Sequence, residues 1–166
     1  IKSPLLPDPI IFGGGHENER RAGTENLPAI IGFAEASERF FKTPVFDKEK
    51  LKPLTDDFIQ FIDSLERVTF RGSRSLRLNN TVAFTVAGAD SIALLAGLDM
   101  EGVCASSGSA CSAGSLEPSH VILALGVEKN SANSLVRFSL GRDTTLEEIA
   151  AVKMILPVVI NRVRNG

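Results

Sequence analysis

At 166 residues, 43% hydrophobic and 23% charged, the chain has the size and composition of one globular domain able to bury a sizeable core. A net charge of −2 and a pI near 5.7 give no electrostatic reason to expect nucleic acid or a membrane surface as a partner. Two cysteines make no disulfide framework and imply a reducing compartment, the cytoplasm or an organelle matrix; together with two histidines, at 16 and 120, they make no zinc-type cluster.

The chain opens on IKSPLLPDPIIFGGG, without an initiator Met or the basic start and apolar stretch of a signal peptide. It reads as a piece of a longer chain, and no apolar run approaches the roughly 18–20 residues of a membrane span. Residues 1–26 are loop-like. From Glu25 to Phe41 the residues Leu27, Ile30, Ile31, Ala34 and Phe41 make a helical stripe, with Pro28 in the first turn. A second helix is expected after Lys48, with Leu51, Leu54, Phe58, Phe61, Ile62 and Leu65 on one face and Pro53 in its first turn.

Val68–Phe70 is a short predicted strand, and NTVAFTV, residues 80–86, is a firmer one, rich in β-branched side chains. Asp90 is placed to cap a helix running to about Asp99. Val103–Ser106 is expected as a strand leading into a Ser/Gly loop, and residues 116–125 as a helix closed by Gly126. Residues 135–140, LVRFSL, make a strand. Thr145-x-x-Glu148 is a capping box opening the last helix, whose stripe is Leu146, Ile149, Val152, Leu156, Val159 and Val163; Pro157 should kink it. The pattern predicts an α/β fold, a two-layer sandwich in which a small, mostly antiparallel sheet is covered by helices.

Four places stand out chemically. ASSGSACSAGS, residues 105–115, holds five serines, three alanines, two glycines and Cys111. Such small residues cannot fill a core, so residues 106–114 are expected to be mobile. By itself Cys111 is either a reactive thiol or an ordinary surface one. A thiol of ordinary pKa is only about 3% ionised at pH 7, so a nucleophilic role needs a proton acceptor nearby. Cys104, in GVCAS, fits a buried, inert cysteine. GGGHENERRAGTEN, residues 13–26, offers backbone amides, Arg20, Arg21 and Thr24, either as a phosphate site or as a plain polar connection. Arg137 lies in a strand, at a sheet edge or as a carboxylate clamp. His16 and His120 read as surface residues.

Taken in order, GGGHENERRAGTEN, SSGSACSAGSLEPSHVILALG and VRFSLGRDTTLEEI resemble the C-terminal part of cysteine desulfurases of the nitrogen-fixation and iron–sulfur-assembly type, in the pyridoxal-phosphate-dependent class V aminotransferase family. The resemblance spans essentially the whole chain, and SSGSAC followed by SLEPSH points to the long-loop group. It implies the small C-terminal domain of a fold-type I transferase, with residues 1–26 as the connection from a large cofactor domain and residues 27–166 as the small domain. It implies conversion of L-cysteine to L-alanine, with sulfur carried as a persulfide to an iron–sulfur scaffold or another acceptor, in a homodimer. Residue by residue, it makes Cys111 the persulfide-bearing nucleophile and Arg137 the partner of the substrate carboxylate. Thr24 becomes a contact to the phosphate of the neighbouring subunit's cofactor. The chain departs from the family at lysine: none of the seven, at 2, 42, 48, 50, 52, 129 and 153, lies in the Ser-x-His-Lys setting that holds pyridoxal phosphate. A selenocysteine lyase and a non-catalytic sulfur-carrier module are the alternative readings.

Overall fold

The structure is a computed structural model, and it describes residues 8–44, 46–108 and 117–165. The chain divides into two compact units, residues 1–44 and 45–166.

In the first unit, α1 (His16–Glu19) is one short turn. Glu17, Asn18 and Glu19 have φ of 53°, 55° and 63°, in the left-handed region. α2 (Leu27–Lys42) starts where Asn26 Oδ1 accepts from the Ala29 amide at 3.1 Å, with Pro28 in the first turn as expected. Glu35 and Glu38 pair with Arg39 and Lys42 one turn on. No α2 residue is buried: the apolar stripe that predicted the helix, including Ile30, Ile31 and Phe41, is exposed.

The second unit is built on a three-stranded antiparallel sheet in the order β1 (Val68–Arg71), β2 (Thr81–Val86), β3 (Leu135–Ser139). Alternation along β2 sends Val82, Phe84 and Val86, all fully buried, to one face. There they meet Val136 and Phe138 of β3, and the apolar sides of α3 (Lys48–Ser64), α4 (Ser91–Met100) and α7 (Leu146–Asn165). Phe138 stands edge-on to Phe58 of α3 at 5.3 Å and stacks on Phe84 at 6.1 Å. On the other face, Ala83 packs with a smaller cluster of Ile122 from α5 (His120–Ala124), Val127, Ala132 from α6 (Lys129–Ala132) and Leu135. The α/β fold with a small antiparallel sheet and covering helices is as the sequence predicts.

Local signals hold where a side chain meets its own backbone. Asp90 caps α4 by accepting from the Ile92 and Ala93 amides. Thr145 and Glu148 form the reciprocal capping box of α7 at 3.0 and 3.3 Å. Gly126 takes a left-handed φ of 77° just after α5. Three expectations need correction. Pro53 lies inside α3 rather than in its first turn, because Asp47 caps the helix and the first turn is over before Pro53. The break is tolerable because Pro53 and Glu49, whose carbonyl loses its helical donor, are both exposed. Residues 103–106 form no strand, only an isolated bridge at Ser106. Helix α5 is shorter than 116–125 and begins at His120. Pro157 sits within α7, which runs unbroken from Leu146 to Asn165.

Helices α4 and α7 approach closely at Gly97. A methyl group there would stand 2.7 Å from Val159 Cγ1, and Val159 is itself fully buried. Gly97→Ala should therefore destabilise the fold by about 1–3 kcal/mol through overpacking, outweighing the roughly 1 kcal/mol that alanine gains in helix propensity. Urea denaturation should show this loss, and Val159→Ala in the same chain should recover part of it. Asp56 is held below the usual carboxylate range, first by the hydrogen bond from Lys52 and further by Arg77. Its contribution is present above the unfolded carboxylate pKa and fades as pH falls through the lower folded value. Asp56→Asn should therefore cost about 1 kcal/mol or less at pH 7 and progressively less as the pH falls below the ordinary carboxylate range, read from denaturation midpoints across that range.

Candidate functional site

Register decides where Arg137 points. Val82↔Phe138 and Phe84↔Val136 occupy the main core face, so Ala83↔Arg137 belongs to the opposite face. Arg71 pairs with Ala83 on the other side, and one row runs Arg71, Ala83, Arg137 across the three strands. Arg71 is committed, donating from Nε to Thr85 Oγ1 at 2.9 Å. Arg137 is not: its Nε is buried and has no hydrogen-bond partner. A buried N–H of a cation without an acceptor is costly and calls for an anionic oxygen.

The row continues beyond the sheet. The Ser106 amide donates to the Arg137 carbonyl at 3.0 Å, and the Arg137 amide to the Ser106 carbonyl at 2.6 Å. The root of the Ser/Gly segment is thus tied to the strand that bears Arg137. Cys111, residues 109–116 and the expected mobility of that stretch lie outside the described residues.

Cys104 corrects an expectation: it is exposed, not buried. After α4, Gly102 turns the chain with φ of 76°, and the Val103 amide donates to the Leu98 carbonyl at 2.9 Å. Val103 and Ala105 then pack against the core, which turns the residue between them outwards. Cys104 faces an open groove of about 560 Å³ beside Leu95 and Ala96 of α4. His120 is exposed at the start of α5, and His16 is exposed on α1. In the first unit, Thr24 is exposed in the segment between Gly23, at φ of 100°, and the Asn26 cap of α2. Among the described residues, no group of three or more His, Cys, Asp or Glu side chains is arranged to hold a metal ion, and no helix is long and apolar enough to cross a membrane.

Residues 14–152 match the aminotransferase class-V family profile. The chain belongs to the class-V aminotransferase family. This class-V chain is 41% identical over 157 residues to a cysteine desulfurase IscS of Dictyoglomus turgidum, covering 94% of the chain and 40% of that relative. It is 38% identical over 165 residues to a cysteine desulfurase IscS 1 of Archaeoglobus fulgidus, covering 99% of the chain and 43% of the relative. Among solved structures it resembles a NifS-like protein from Rickettsia africae at a TM-score of 0.77 and 30% identity, over 95% of the chain and 41% of that protein. The chain thus spans about two fifths of the length of these class-V relatives.

The register that aims Arg137, and the pairing of Ser106 with it, were not visible in the sequence. Neither was Arg71: an arginine next to a glycine in TFRGSRS carries no local signal for the face it will share. The exposure of Cys104 is directly testable. In the native chain it should be alkylated by iodoacetamide, as read by intact mass and peptide mapping. Cys104→Ala should move the denaturation midpoint by no more than about 0.5 kcal/mol.

Proposed function

We propose that this chain is the sulfur-accepting small domain, with its connecting segment, of a pyridoxal-phosphate-dependent cysteine desulfurase. The observation that carries the reading is the buried, unpartnered Nε of Arg137, in the strand tied to the root of the Cys111 segment. A planar guanidinium with an unmet donor suits the α-carboxylate of an amino acid, and a thiol in sequence reach of it suits attack on that amino acid's side chain. The desulfurase names of the relatives support the same reading.

The residues here fit one part of the cofactor and not another. The exposed Thr24 hydroxyl, presented ahead of α2, is suited to donate to its phosphate, in a neighbouring subunit of a homodimer. Five of the described lysines are engaged elsewhere: Lys42, Lys52, Lys129 and Lys153 each pair with a carboxylate, and Lys50 donates to the Arg142 carbonyl. Pyridoxal phosphate supplies an electron sink for the bond cleavage when bound in the complete enzyme. The work of this chain is then threefold. Arg137 holds the carboxylate of L-cysteine and so fixes where its Sγ lies. The Cys111 thiolate forms a bond to that Sγ as the Cβ–Sγ bond breaks. The electron pair of the broken bond stays with Cβ, which gains a proton to give L-alanine, and Cys111 is left as a persulfide for an iron–sulfur scaffold or another sulfur acceptor.

In the complete enzyme, Cys111→Ala should abolish alanine formation from L-cysteine while leaving cofactor content unchanged. Arg137→Ala should raise KM about 10–100-fold, the loss of one charge-assisted contact worth roughly 1.5–3 kcal/mol. Turnover that survives Cys111→Ala would sink the reading. The chain alone, mixed with pyridoxal phosphate, should give no stoichiometric, borohydride-trappable adduct; a single lysine labelled at full occupancy would show that it holds the cofactor unaided.

A further inference from the structure

The residues that flank the Cys111 segment, Gly108 before it and Ser119 after it, lie against each other. Ser106 is fixed by its two backbone hydrogen bonds to Arg137. Its hydroxyl then closes the chain on Gly108, donating to the Gly108 carbonyl at 3.1 Å and accepting from the Gly108 amide at 3.4 Å. Gly108 in turn lies against the far end of the segment: a methyl group on it would stand 3.3 Å from Ser119 Cβ and 3.7 Å from Ser119 Oγ. Ser119 is buried and is held by α5, whose Ile122 and Leu123 amides donate to its carbonyl at 3.1 and 3.2 Å. A side chain at position 108 would press on Ser119, which would have to give by a few tenths of an ångström.

We propose that Ser106, Gly108 and Ser119 form a positioning neck that anchors both ends of the cysteine-bearing segment beside Arg137, and that Ser106 is its principal positioning residue. The proposal rests on the desulfurase reading of Cys111 and Arg137. Its physical content is a tether. Five residues separate Ser106 from Cys111 in the sequence, a reach of at most about 18 Å. An anchor one backbone pair from the carboxylate-binding arginine makes attack on the bound substrate effectively intramolecular. The neck therefore acts on the transfer step and not on substrate binding.

The complete enzyme tests this. Ser106→Ala, which removes the turn and keeps the backbone pair, should lower kcat for alanine formation about two- to tenfold with KM and cofactor content unchanged. Ser106→Thr, which keeps the hydroxyl, should restore kcat. An unchanged kcat in Ser106→Ala, a loss shared by Ser106→Thr, or a parallel rise in KM overturns the positioning role. The geometry has its own readout, independent of activity. Gly108→Cys with Ser119→Cys, in a chain carrying Cys104→Ala and Cys111→Ala, should form a disulfide on mild oxidation, seen as a mass loss of about 2 Da, because the two Cβ positions lie 3.3 Å apart and a shift of a few tenths of an ångström brings them into the usual range of about 3.5–4.5 Å. Failure to form it overturns the closed neck. Turnover that persists in Cys111→Ala removes the desulfurase reading, and the neck's role with it, while the disulfide result still stands by itself.

Discussion

Strand β2 is the constraint on which the second unit turns. It is hydrogen-bonded on both sides, to β1 and to β3, and three of its side chains are fully buried. Because side chains alternate with a period of two, placing Val82, Phe84 and Val86 on the helical face forces Ala83 and Thr85 onto the other. A slip of one residue would bury Thr81, Ala83 and Thr85 against α3, α4 and α7 and lift two valines and a phenylalanine out of the core. At roughly 1.5–3 kcal/mol for each large apolar side chain, that alternative is far above the native register.

Everything assigned to the site follows from that register. Arg137 faces the α5–α6 side because its neighbours in β3 are needed on the other. It stands across from Ala83, the smallest side chain in β2, and its backbone is the one that Ser106 pairs with. A charged side chain in a strand with buried residues on both sides is an expensive arrangement, and its Nε is left without an acceptor. Structures that retain such a cost tend to do so where a ligand supplies the missing oxygen. The same logic accounts for Cys104. The alternation that packs Val103 and Ala105 inwards leaves no inward position for the thiol, whatever its intrinsic preference for burial.

The first unit obeys a different balance. Helix α2 has an N-cap, a proline in its first turn and two i,i+4 ion pairs on its exposed side, so its local signals agree with one another. Its apolar stripe is as periodic as that of α3, yet α3 buries Leu51, Leu54, Phe58, Ile59 and Ile62 and α2 buries nothing. Periodicity reports that a face is built for burial. What covers that face is a separate matter, settled by whatever surface is opposite. The left-handed run at Glu17–Glu19 is the converse case, a conformation for which HENE gives little cue: Asn18 tolerates it as a single residue, but the glutamates on either side do not favour it.

Features governed by neighbours along the chain were legible from the residues: the Asp90 cap, the Thr145–Glu148 box, the turn at Gly126, the three strands and the four long helices. Family motifs, read in order, also marked Cys111, Arg137 and Thr24 as the residues of interest. Interactions between distant residues were not legible. The Ser106–Arg137 pair joins positions thirty-one residues apart, Gly108 meets Ser119 across the cysteine segment, and Gly97 admits Val159 from α7. The position of Pro53 inside α3 and the outward turn of Cys104 belong with them. A cap or a turn is decided by a handful of adjacent dihedral angles, whose preferences each residue carries with it. A strand's face, a thiol's exposure and a guanidinium's missing partner are decided by what the rest of the fold brings alongside, and that is set by burying one common core rather than by any local stretch of chain.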